Sequence, residues 1–186
     1  MAALERPAGA APERGLEPQL ARDLAEERQL RDRLRALARA ADLGYDAIAI
    51  TDECSLAGVV RALEEARRCA ERGRPIQLIP GSSFRLAGGS RLVLLPEDHA
   101  GYTAICTLIT RGRRNAPKGE YALPDASFEH GAGDGLDHCL ALWLPAAKDI
   151  CGEESEDDLL PAHWLAAYFP GRCWLGVSLS LGPDDA

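Results

Sequence analysis

The chain has 186 residues, enough for one domain, and its apolar fraction of 46% supports a packed core rather than general disorder. A net charge of −8 argues against a free-standing nucleic-acid binder, which normally carries a basic stripe. The N-terminus lacks the apolar stretch of a signal peptide and no apolar run is long enough to span a bilayer, so the expected compartment is the cytoplasm, with no membrane partner.

Residues 1–15, rich in Ala, Pro, Gly and charge, read as a flexible tail. From residue 16 to 42 Leu20, Leu24, Leu34, Leu37 and Ala41 recur at helical intervals among Arg, Asp and Glu, which predicts a charged amphipathic helix stopped near Gly44. Ala47 to Thr51 reads as a buried parallel strand. Ser55 is expected to cap a helix from Leu56 to about Arg72, ended by Gly73. A strand follows at Ile76–Ile79, closed by Pro80-Gly81, and then a hairpin of Phe84–Leu86 and Arg91–Leu95 around Ala87 to Ser90. A helix is predicted over His99–Arg111 and one turn near Asp125–His130. A strand is expected at Cys139–Leu144, an acidic loop over 148–158, a helix at Leu159–Phe169 and a last strand at Trp174–Leu181. Alternation of helix and strand on this scale means an α/β fold with mainly parallel strands.

Functional groups in such folds gather at the carboxyl ends of strands. Asp52 and Glu53 stand at the first such end and are the candidate metal ligands. On an extended chain neighbours point to opposite sides, so they are not expected to act as a pair. Three readings remain open for them: start of the following helix, metal or catalytic work, and a solvated loop. The second strand end carries Gly81-Ser82-Ser83-Phe84, which lacks the G-x-S-x-G of a hydrolase nucleophile. His99, His130, His138 and His163 form no H-x-H or H-E-x-x-H. Six cysteines without a C-x-x-C pair argue against a zinc ribbon and read as reduced, mostly buried thiols. Arg111, Arg113, Arg114 and Lys118 form the one dense basic cluster, either a phosphate contact or a solvated helix end that complements the dipole.

Four segments together resemble the PHP (polymerase and histidinol phosphatase) domain of bacterial error-prone DNA polymerases: LGYDAIAITDECSLAGVVRA (43–62), the stretch Ile79–Tyr121 with IPGSSFRLAGG, LALWLP (140–145), and FPGRCWLGVSLSLGPDDA (169–186). The resemblance runs from Leu43 to the C-terminus and leaves out residues 16–42. It implies an incomplete, distorted (β/α) barrel over 43–186. Active members hold up to three metal ions at strand ends and hydrolyse phosphoesters, in some replicative polymerases as proofreading. The polymerase domains lie beyond the region of likeness.

Site residues carry over poorly. The family's first H-x-H has no counterpart, since no histidine precedes His99. Its second motif, Asp then His, is here Asp52 then Glu53, and the acidic residue of its G-x-E-F-like turn is here Ser83. A catalytic binuclear site needs several donors, because each divalent ion takes about four to six. The expectation is a non-catalytic, structural segment of an error-prone polymerase, tied through the family to replication, translesion synthesis and DNA repair. Its partner would be the rest of that chain, with DNA met only indirectly. No cofactor is expected, and Mn, Zn or Mg only if a residual site functions. Two alternatives are a metal-dependent phosphoesterase with a reduced set of Asp52, Glu53, His99 and His130, and a small DNA- or protein-binding module using the Arg111–Lys118 patch.

Overall fold

The computed structural model describes residues 16–86, 89–124, 128, 135–145 and 160–177. The predicted tail, the turn near Asp125–His130, the acidic loop, and the last strand beyond Val177 lie outside them. The elements in chain order are α1 (Leu16–Asp42), β1 (Ala47–Glu53), α2 (Val59–Glu71), β2 (Gln77–Arg85), β3 (Arg91–Pro96), α3 (His99–Arg114), a 3-10 turn (Leu136–His138), β4 (Cys139–Leu144), α4 (Leu160–Tyr168) and β5 (Cys173–Leu175). Gly44 and Gly73, at φ +78° and +76°, take the left-handed conformation just past α1 and α2.

The five strands form one α/β sheet in the order β1-β2-β3-β4-β5. β1 and β2 are parallel, β3 is antiparallel to both β2 and β4, and β5 is parallel to β4. Four strands therefore share one direction and β3 alone opposes them. The antiparallel pairing of β2 with β3 is the expected hairpin.

β2 departs from its expected end. It does not stop at Pro80-Gly81 but runs through them to Arg85. Proline is tolerated there because β2 has different neighbours along its length. Its first part, from Gln77, pairs with β1, and pairing with β3 begins only at Ser82 opposite Leu94. The missing Pro80 N–H thus takes no bond from a ladder on that side. Gly81 allows β3 to come close: a Cβ there would lie 2.6 Å from Leu95 Cδ2 and 2.8 Å from the Leu94 carbonyl.

The core has two parts. Leu37 and Ala41 of α1 pack with Ala62, Ala66 and Cys69 of α2 and with Ile50 of β1. A larger cluster joins Phe84, Leu92 and Leu94 of the hairpin to Ala104, Ile105 and Leu108 of α3, alternate residues Cys139, Ala141 and Trp143 of β4, and Leu165 of α4. The alternation on β4 is the period-two pattern of a strand with one face buried. Cys54, Cys69 and Cys139 are buried free thiols and Cys106 and Cys173 are half-buried; Cys151 lies outside the described residues. Burial pushes the Cys139 thiol up to about 12, so it is inert at neutral pH.

α3 starts at His99, and its cap is Asp98. Asp98 Oδ1 accepts from the Ala100 and Gly101 amides at 2.8 and 3.1 Å, and His138 Nδ1 donates to Oδ2 at 2.6 Å. The Gly101 amide first, against some desolvation, and then His138 hold the Asp98 carboxyl below the ordinary value of about 3.9. A depressed folded value stabilises the fold above the unfolded value and stops doing so as pH falls through the folded one. Wild type is therefore expected to melt above Asp98→Ala at pH 7, with the gap narrowing as pH falls from about 5 through the lowered folded value. Thermal melts across that range check it; a gap independent of pH would refute the capping charge.

Candidate functional site

The end of β1 turns sharply. Cys54 adopts φ +45°, a left-handed conformation that is uncommon for a residue with a Cβ. Its backbone is held on both sides. The Cys54 N–H donates to the Ser83 carbonyl at 2.8 Å, and Arg113 Nε donates to the Cys54 carbonyl at 3.2 Å. Burial pushes the Cys54 thiol up, with Arg113 pulling the other way.

Asp52 and Glu53 diverge, as alternation along a strand requires. Asp52 is buried, 6% exposed. Its Oδ2 accepts from the Gly58 amide at 3.0 Å, just ahead of α2. A Cβ at position 58 would come within 2.7 Å of that oxygen, so glycine makes the approach possible. Oδ1 lies 2.9 Å from Arg33 Nε, an ion pair reaching across from α1. The contact is off the hydrogen-bond direction, and Oδ1 has no aligned donor among the described residues.

Glu53 faces the opposite way into its own network. The Tyr121 hydroxyl donates to Oε1 at 2.9 Å, and Arg85 Nη2 lies 2.9 Å from Oε1 and 3.1 Å from Oε2. Burial, and then the bond to Glu53 set against the Arg85 amide, leave the Tyr121 phenol above its ordinary value, so it stays a donor at neutral pH.

Ser55 does not cap a helix running from Leu56. Its Oγ accepts from the Ala57 amide at 3.1 Å in a local turn, and α2 begins only at Val59 with no side-chain cap on Gly58. Ser82 and Ser83 stitch β2 to β1: Ser82 Oγ donates to the Asp52 carbonyl at 2.9 Å and Ser83 Oγ to the Thr51 carbonyl at 3.2 Å.

A cleft of about 560 Å³ opens over this strand end, lined by Asp52, Glu53, Arg33, Arg61 and Arg113 with Glu27 at its rim. His99, at the start of α3, and His138, paired with Asp98, do not line it. His130 lies outside the described residues. Among the described residues no three His, Cys, Asp or Glu side chains are placed to hold a metal ion.

The basic cluster is divided. Arg113 turns toward β1, donating to the carbonyls of Cys54, Glu53 and Glu120 and lying 5.6 Å over the Tyr121 ring. Arg111 and Arg114 line a separate open groove of about 410 Å³ with Thr103, Thr107 and Thr110. Those threonine hydroxyls donate to helix carbonyls four residues back. Lys118 is exposed on the loop after α3. The sequence reading missed Arg33, Arg85 and Tyr121 as partners of the acidic pair. Nothing in their spacing marks them, since the contacts are made only by the fold.

Residues 34–139, more than half of the chain, match the PHP domain. The chain belongs to the PHP domain family. It is 50% identical over 148 residues to the error-prone DNA polymerase of Pseudomonas paraeruginosa, 49% over 149 to that of Methylococcus capsulatus and 47% over 149 to that of Aromatoleum aromaticum. Each alignment covers 80% of this chain and 13% of the relative, so the chain spans about an eighth of their length. A solved structure from Bifidobacterium adolescentis superposes on 76% of this chain and 70% of its own at a TM-score of 0.43 and 13% identity, too loose a likeness to bear on the site. Among the described residues no helix is long and apolar enough to cross a membrane.

Proposed function

We propose that this chain is a PHP segment of an error-prone DNA polymerase, structural and non-hydrolytic in itself, serving translesion synthesis and repair in the cytoplasm through the rest of such a polymerase. The near-50% identity to error-prone polymerases supports the polymerase context. One observation carries the non-hydrolytic part: each acidic side chain at the end of β1 already has partners inside the chain. Asp52 takes the Gly58 amide and Arg33, and Glu53 takes Arg85 and Tyr121.

A divalent ion needs several free donors at one point, together with a water it can activate. Here Glu53 is directed away from Asp52, Ser83 Oγ is bonded to a backbone carbonyl, and three arginines line the cleft. These residues do not fit a PHP metal cluster, and no hydrolytic step follows from them. The chain's role is then mechanical, a packed α/β body against which polymerase domains seat. Contact with DNA is left to those domains.

The purified chain, assayed with p-nitrophenyl phosphate and p-nitrophenyl thymidine 5′-phosphate in Mn²⁺ or Zn²⁺, is expected to give no hydrolysis above the metal-only blank. Metal-dependent turnover that disappears in Asp52→Ala would overturn the proposal and favour the reduced-ligand phosphoesterase.

A further inference from the structure

The charges of the cleft pair off unequally. Glu27 has Arg31 at 2.7 Å, and Glu53 has Arg85 and Tyr121. Arg113 is directed at backbone carbonyls. Asp52 remains, the buried carboxylate of this wall, with Oδ1 carrying no aligned hydrogen bond and one cation close by. A buried carboxylate oxygen without a donor is costly unless positive charge stands beside it. That charge comes from Arg33, whose side chain is one-third exposed and reaches Oδ1 from α1.

The PHP resemblance gives this carboxylate to a metal. The donor set around it does not fit one, and the disagreement is informative. We infer that Arg33 is the resident counter-ion of Asp52: a side-chain cation meets the charge of the retained carboxylate, and the guanidinium group keeps divalent ions from it. The inference rests on reading the chain as non-hydrolytic, and adds what replaces the metal. It also gives α1 a second attachment. Leu37 and Ala41 hold the C-terminal half of the helix in the core, and Arg33 ties the preceding turn to the end of β1. Asp52 then links three elements, receiving the amide before α2 on one oxygen and the α1 guanidinium on the other.

The test is a set of thermal melts, with and without millimolar MnCl₂, of wild type, Arg33→Gln, Arg33→Lys and Arg33→Gln/Asp52→Asn, beside the hydrolysis assay of wild type. Arg33→Gln is expected to lose about 5 °C or more, because the buried Asp52 carboxylate is left without its counter-ion. Mn²⁺ is expected to return part of that loss in Arg33→Gln and to leave wild type and the double variant unmoved. Arg33→Lys, which keeps the charge, is expected to stay nearer wild type, and Asp52→Asn in the Arg33→Gln background to recover stability by removing the uncompensated carboxylate. Should Arg33→Gln fail to fold, a folded double variant supports the counter-ion and an unfolded one overturns it. An Arg33→Gln melt equal to wild type, or a wild-type melt raised by Mn²⁺ through Asp52, also overturns it. Hydrolysis by wild type would refute the non-hydrolytic reading; inert wild type with an unshifted Arg33→Gln would refute the counter-ion alone.

Discussion

Phe84→Ala is expected to lower the unfolding free energy by about 3–5 kcal/mol, the usual cost of emptying a phenylalanine site in a packed core. Phe84 is 0% exposed. It meets Phe128 edge-to-face with centroids 6.0 Å apart, and Phe128 meets Trp164 of α4 the same way at 5.9 Å. The ring therefore connects β2 to α4 through an aromatic chain, and each such pair adds about 0.5–1.5 kcal/mol beyond area burial. A domain of this size holds about 5–15 kcal/mol in all, so the variant is left marginal. Urea titration followed by tryptophan fluorescence reads the effect, and Phe84→Leu, which keeps most of the volume, should lose much less. A midpoint for Phe84→Ala within error of wild type would show that the aromatic chain is not the core. The position also bears on function. Phe84 stands near the end of β2, next to the position where the family resemblance expects an acidic ligand and this chain has Ser83.

Much of the fold could be read from residue spacing. The leucines of 16–42 carry a helical period in the sequence, the apolar runs Ala47–Thr51 and Cys139–Leu144 read as strands, and α1, β1 and β4 stand there. The failures share a physical source: a residue's own local signal was overruled by a partner outside its immediate turn. Ser55 has the chemistry of a helix cap, yet Asp52 reaches forward to the Gly58 amide and α2 starts later. Pro80-Gly81 has the chemistry of a turn, yet β1 pairs on through it, and β3 has not yet joined on the other side. At the site, the divergence of Asp52 and Glu53 follows from strand alternation alone. Their partners do not. Arg33 is one of several arginines on a charged helix, and only the packing of Leu37 and Ala41 brings it to Asp52. In the Arg111–Lys118 cluster, residues close in sequence part in space: the turn of α3 sends Arg113 toward β1 and Arg111 and Arg114 into another groove.

Gly101→Ala is expected to cost about 3 kcal/mol, against what helix propensity alone would give. In a helix interior alanine is better than glycine by about 0.5–1 kcal/mol. Gly101, however, sits in the first turn of α3 against the start of β4. A Cβ there would lie 2.2 Å from the His138 carbonyl oxygen and 3.2 Å from Cys139 Sγ. The obstructing atom belongs to the backbone, so no rotamer change relieves it, and α3 must move off β4. That displacement pulls on several bonds at once. The His138 carbonyl also accepts from the Glu97 amide at 2.9 Å, Cys139 Sγ contacts the Gly101 carbonyl at 3.5 Å, and Asp98 caps the same turn while holding His138. Overpacking commonly costs 1–3 kcal/mol, and a clash with fixed backbone belongs at the upper end of that range. At about 2–4 °C per kcal/mol for a chain of this length, the melt should fall by roughly 6–12 °C. A melting temperature at or above wild type would mean that α3 and β4 are not in contact at Gly101. The seam matters beyond stability, because α3 carries Arg113, and Arg113 holds the Cys54 and Glu53 carbonyls at the end of β1. A shifted α3 is therefore expected to loosen the turn that fixes Asp52 and Glu53 in opposite directions, which faster exchange of the Cys54 amide in Gly101→Ala would register.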